Sequence, residues 1–216
     1  MVDATTVLGL EYYPTAIGKF VVYDIDSTVF DELSQTSKLH KYRIKEKFTE
    51  NFTDNEGRPA IRIERYIKKY NASKSYDSIP YVIKEVSMVN TDNKKIQVVE
   101  SNLRYTKLVF PIKAGTSWNG NANNTLGELT YSYSSIDKAE TINGNSLGKV
   151  LFVIQRDDKT LIAQQYYTEK YAKGVGLVYR EIKDIYSNNV ISGVPIEQRI
   201  ERGVIYKQVL VSYGNE

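Results

Sequence analysis

Apolar and polar residues alternate along much of this chain. Between residues 42 and 52 one set of alternate positions reads Tyr42, Ile44, Glu46, Phe48, Glu50, Phe52, and the other reads Arg43, Lys45, Lys47, Thr49, Asn51. A period of two puts these sets on opposite faces of a strand, one packed and one solvated, whereas a helix would scatter the aromatics. Residues 60–70 repeat the pattern after Asp54-Asn55-Glu56-Gly57-Arg58-Pro59, whose glycine and proline supply turn geometry, so the two runs form a hairpin. The same reading pairs 81–89 with 95–101 across 91–94, and 150–156 with 161–168 across 157–160. Three hairpins in series predict a meander.

Further strands are expected over 20–28, 103–112, 129–134, 175–184 and 204–213, most of them rich in Val, Ile, Tyr and Thr. Residues 29–39 and 195–202 are candidates for short helices. The second has Pro195 at its first position and Gly203 after its end, although Ile196, Gln198 and Ile200 fit a strand equally well. Helix and strand do not alternate, which argues against a doubly wound parallel sheet. The expected fold class is therefore all-β: one large curved antiparallel sheet of about ten strands, with a two-layer β-sandwich as the alternative. A sheet curled around an unfilled interior would suit a carrier of an apolar ligand. A tightly packed one would suit an interaction module.

At 216 residues the chain fits a single domain. Pro14 and Gly18 open the folded region, which implies a tether over residues 1–11 and one β domain over 12–216. The 29 basic and 26 acidic side chains are interspersed, leaving a net charge of +3 and no basic stripe for nucleic acid. No run approaches the roughly 18 apolar residues of a membrane-spanning helix. The absence of cysteine excludes disulfides, thiolate nucleophiles and sulfur-ligated metal sites.

Candidate chemistry is sparse. His40 is the sole histidine, so a histidine metal site or a Ser-His-acid triad would have to be built around it alone; a surface role is expected. Asp24, Asp26, Asp31 and Glu32 are oxygen-rich, but Val29 stands where a calcium loop needs Gly and Gln35 where it needs the closing carboxylate. They read as a solvated face. Asn119-Gly120-Asn121-Ala122-Asn123-Asn124 reads as a flexible loop, and Gly174-Val175-Gly176, which lacks the third glycine and the helix of a dinucleotide loop, reads as a turn or bulge with close backbone approach. The expectation is a protein with no enzymatic activity, cofactor or metal.

Tyrosine stands out at 18 residues, suited to half-buried sheet faces or to an aromatic platform that includes Tyr166, Tyr167, Tyr171 and Tyr179. If two residues apart means one face, Phe152 with Ile154, Tyr166, and Leu177 with Tyr179 would line a common apolar surface. These five are the candidate ligand-binding residues for a lipid or other apolar ligand. Packing of that surface against the other half of the sheet is the competing explanation.

Tyr13-Pro14-Thr15-Ala16-Ile17-Gly18 and Phe110-Pro111-Ile112-Lys113-Ala114-Gly115 share an aromatic-Pro-x-x-x-Gly lead-in, the second followed by Trp118. With Ala172-Lys173-Gly174-Val175-Gly176, they resemble a class of uncharacterised Gram-negative lipoproteins, some grouped with the LolA/LolB-like carrier fold. The resemblance implies a curved antiparallel half-barrel in the cell envelope, periplasmic or anchored at the outer membrane. It also implies an apolar or amphipathic ligand or, alternatively, an envelope protein or glycan as partner. Val21 departs from the Trp usual in the first motif, and no lipid-bearing Cys is present, so membrane association would rest on an N-terminal anchor removed from this chain.

Overall fold

A computed structural model describes residues 8–216. It is a single antiparallel sheet of twelve strands: β1 (Lys19–Asp31), β2 (Thr36–Thr53), β3 (Pro59–Lys69), β4 (Val82–Thr91), β5 (Lys95–Glu100), β6 (Leu103–Val109), β7 (Ser117–Asn119), β8 (Thr130–Ile142), β9 (Asn145–Lys159), β10 (Ala163–Ala172), β11 (Gly176–Tyr186) and β12 (Arg202–Asn215). The order is β6-β5-β4-β3-β2-β1-β12-β11-β10-β9-β8-β7. Each strand pairs with its neighbours in sequence, except that β6 and β7 form the two edges, and the first and last strands pair at the centre. The meander of hairpins is thus the architecture, carried beyond a half-barrel until β6 and β7 face each other.

Local chemistry explains most boundaries. Asn143 and Gly144 (φ 48° and 79°) form a two-residue turn between β8 and β9, the mirror-image geometry that matches strand twist. β8 therefore runs on to Ile142 rather than stopping at 134. The helix expected over 29–39 is instead the tip of the β1–β2 hairpin, where Asp31 accepts bonds from the Leu33 N–H and the Ser34 hydroxyl and reverses the chain. Its apolar residues are too few and too exposed to bury a helical face. The expected 195–202 helix shrinks to one 3-10 turn, Ile196–Gln198. The turn placed at 157–160 lies later, with the Thr160 N–H bonded to the Ala163 carbonyl and residues 157–159 still in β9.

The seam between β6 and β7 is closed by loop backbone and side chains instead of a ladder. The Thr106 N–H donates to the Gly120 carbonyl (2.9 Å), and the Trp118 indole N–H donates to the Thr106 carbonyl (2.8 Å). Tyr133 Oη both accepts from the Val109 N–H and donates to the Val109 carbonyl. The asparagine run expected as a flexible loop is the hardware of this seam: Asn123 accepts from Gln97, and Asn124 donates to the Arg104 carbonyl. At Gly120 a Cβ would fall 2.3 Å from the Tyr131 ring, so only glycine fits there.

The end of the barrel where β1 begins is plugged by the N-terminal segment. Of the expected tether, residues 1–7 lie outside the described residues, while Leu8 and Glu11 accept bonds from the Ile112 and Gly174 N–H groups. A 3-10 turn, Leu10–Tyr12, buries Tyr12 and aims its hydroxyl at Asp137 (2.5 Å). Tyr13 enters the interior against Phe48 and Tyr171. Around this plug lies the apolar core, with Val21, Tyr23, Ile25, Ile63, Leu151 and Val153 among its members. Among the described residues no helix is long and apolar enough to cross a membrane.

Candidate functional site

Above the plug the interior turns ionic. Arg65 on β3 donates to Glu46 on β2 (2.6 Å), Glu85 on β4 (2.8 Å) and Glu100 on β5 (2.9 Å). Arg180 on β11 reaches Glu100 (3.2 Å) and Glu169 on β10 (2.7 Å), and Lys107 on β6 bridges the same two carboxylates at 3.6 and 3.0 Å. Three cations and four carboxylates from seven strands thus form one continuous layer joining both halves of the barrel. Tyr171 adds a hydroxyl bond to Glu169 (2.5 Å).

Glu169 is 1% exposed. Burial alone would raise its pKa, but Lys107 and Arg180 hold it below the usual carboxylate range. At Glu100 burial is likewise outweighed, by Arg180, Lys107 and Arg65, and its pKa lies well below the ordinary value. Desolvation raises the Tyr13 and Tyr131 hydroxyls, which stay protonated. A central cavity touches Tyr13, Leu177, Arg65 and Arg180, but the space open to the centre of a water molecule is only about 20 Å³. That admits roughly one water and no lipid chain.

The five sequence-expected ligand residues separate into two groups. Leu177 lines the central cavity. Phe152 and Tyr179 pair opposite Lys170, whose ammonium lies 5.4 and 5.7 Å from their rings, on the face turned away from the ion pairs. Ile154 and Tyr166 share that outer face by alternation from Phe152 and Lys170. Leu177 parts from Tyr179 because Val178 is an extra residue in β11: Tyr171 pairs with Leu177 and Lys170 with Tyr179, and the bulge resets the alternation. Gly174-Val175-Gly176 signals a turn or bulge at the start of β11, with Gly176 at φ +102°, but not that Val178 is the extra residue.

The ionic residues carried a partial signal. Glu46 interrupts the inward series Tyr42, Ile44, Phe48, and Glu169 sits two positions before the buried Tyr171. Their convergence with Arg65, Lys107 and Arg180 depends on strands up to 62 and 80 residues apart, as in Lys107 with Glu169 and Arg180 with Glu100.

At the opposite end from the plug the barrel is open. A cleft of about 820 Å³ lies beyond the end of β3, lined among others by Leu39, His40, Lys41, Tyr42, Lys69 and Lys84. His40 is exposed there, as expected of a surface residue. Asp24 and Asp26 face outward together and are paired with Arg43 and Lys41. Among the described residues no cluster of His, Cys, Asp and Glu is arranged to hold a metal.

Fold and interior together define the class: a nearly closed, up-and-down antiparallel β-barrel filled through its centre by ion pairs. No protein-family model matches the sequence. No curated protein matches it. Two solved structures are similar over most of the chain. One is a "putative lipoprotein" from Parabacteroides distasonis ATCC 8503, 12% identical, covering 94% of this chain and 98% of that one, with a TM-score of 0.44. Another is a "putative exported protein with YmcC-like fold" from Bacteroides fragilis NCTC 9343, 9% identical over the same shares, with a TM-score of 0.49.

Proposed function

We propose that this chain is a non-enzymatic interaction module of the bacterial envelope, a rigid barrel that meets its partner through its surface rather than carrying a ligand inside. The observation that carries this reading is the ion-pair layer. A carrier needs an enclosed apolar lumen, and here the middle of the barrel is occupied by seven charged side chains that satisfy one another and leave about 20 Å³ between them, while the larger cleft at the far end is bordered by His40, Lys41, Lys69 and Lys84. Opening that space for an acyl chain would strand buried charges, each at a cost of several kcal/mol. The envelope setting draws on the resemblance of the two aromatic-Pro-x-x-x-Gly lead-ins and the Ala-x-Gly-Val-Gly segment.

Titration with a fluorescent fatty acid tests the reading. Non-saturable, weak partitioning is expected. Saturable uptake that disappears in Leu177→Trp would place a ligand in the interior and return the protein to the LolA/LolB-like carrier role.

A further inference from the structure

We propose that the free edge of β2 at the open end of the barrel receives an extended acidic peptide, which joins the sheet as a strand along the line that β3 vacates. This rests on the interaction-module reading and names the partner's chemistry.

The first observation is in the backbone. β2 pairs with β1 all the way to Thr36, opposite Asp31, but β3 accompanies it only as far as Tyr42, opposite Lys69. The last bond on the β3 side runs from the Tyr70 N–H to the Lys41 carbonyl (3.1 Å). Alternate residues of an antiparallel strand turn their N–H and C=O to the same side, so those of Leu39 and Ser37 face the open edge with that carbonyl. Residues 36–41 are all exposed, and their pairing with β1 runs without a bulge. A straight, uncovered edge of this kind is a template for another strand. The β3–β4 connection leaves it bare by running down the outer wall, where Tyr76 packs on Arg43 and Tyr81 on Lys68.

The second observation is charge. The cleft beside this edge is lined by His40, Lys41, Lys69 and Lys84 and by no carboxylate. Among the described residues Lys38, Lys69 and Lys84 have no ion-pair partner, and Lys41 has only the 3.8 Å contact with Asp26. In an added strand, side chains alternate between faces: one set would meet Lys69 and Lys84, the other Leu39 and Lys41. Acidic residues alternating with apolar ones satisfy both. A second copy of this chain would instead bring another Lys38, Lys41, Lys69 and Lys84 to the same edge, which like-charge repulsion disfavours.

The test is fluorescence anisotropy of the intact chain with a short fluorescein-labelled peptide of alternating glutamate and valine. Saturable, salt-sensitive binding is expected. The double variant Lys69→Glu/Lys84→Glu should weaken it by roughly tenfold or more. Leu39→Pro should abolish it, because proline removes an N–H on the open edge while the β1 ladder stays intact. Circular dichroism checks that both variants fold, and a peptide N-methylated along its bonding edge makes the same test on the wild-type chain. Equal binding of a lysine–valine peptide, or binding indifferent to N-methylation and displaced by inorganic phosphate, would overturn the proposal. So would a dimer in ultracentrifugation that Leu39→Pro dissolves, which assigns the edge to a second copy. Failure here alongside absent fatty-acid uptake leaves the interaction module intact but moves its contact surface. Saturable uptake sensitive to Leu177→Trp defeats the module itself.

Discussion

Arg180 reaches from β11 across the barrel to Glu100 at the end of β5, with Nη2 3.2 Å from Oε1, and so links two strands that share no ladder. Lys107 and Glu169 repeat the crossing from β6 to β10. In a sheet whose hydrogen bonds run only between sequence neighbours and between β1 and β12, these side chains tie the two six-strand halves through the middle.

Removing one partner of a buried pair leaves the other without compensation. Glu169→Gln should lower the unfolding free energy by about 3 kcal/mol. Urea unfolding of Glu169→Gln, Lys107→Met and the double variant measures it: the double should lose less than the sum of the singles, because the two residues are coupled. Strict additivity would mean that the pair contributes nothing as a pair.

Acid should weaken the same layer. The Glu100 and Glu169 pKa values lie below the ordinary glutamate value of 4.5 in the folded chain. The stability they contribute is therefore fully present above about pH 4.5 and is lost as pH falls through the folded values. The urea midpoint should drop below pH 4.5, and the drop should be shallower in Glu100→Gln. An unchanged slope in that variant would remove Glu100 as a source of the acid response.

The seam should be the weakest line of the barrel. Trp118 is the sole tryptophan, and its indole bonds Thr106 while its ring lies 4.7 Å from Tyr133. Trp118→Phe should cost on the order of 1 kcal/mol for the lost bond, and Trp118→Ala about 3 kcal/mol. Hydrogen exchange should show the Thr106 amide deprotected in Trp118→Ala ahead of amides in the central β1–β12 ladder. Uniform deprotection would mean that the seam is no weaker than the rest.

Two glycines should respond oppositely to substitution. Gly115 holds φ at +78°, so Gly115→Val should destabilise by about 1 kcal/mol or more despite open space around its Cβ. Gly148, in β9, has open space and no left-handed backbone, and Gly148→Ala should leave the thermal midpoint unchanged or slightly raised. Equal effects would show that backbone conformation is not the discriminating factor.

Most of the strands and their antiparallel succession were legible from local patterning, though not β7 or the β1–β2 hairpin tip, which read as a helix. Period-two runs such as 42–52 and turn chemistry such as Asp54 to Pro59 are local, and a hairpin is the shortest-range pairing a chain can make. Asn143-Gly144 was equally legible as a turn, and extending β8 to it required no tertiary knowledge. Everything that joins distant strands came from the folded arrangement. The pairing of β1 with β12 and the meeting of β6 with β7 set the curvature, which turned Glu46, Arg65, Glu85, Glu100, Lys107, Glu169 and Arg180 toward one layer. The bulge at Val178 then placed Leu177 inside and Tyr179 outside. A charged residue on an alternating strand reads the same whether its face meets water or six other charges, because alternation specifies which side a residue takes and not what waits there.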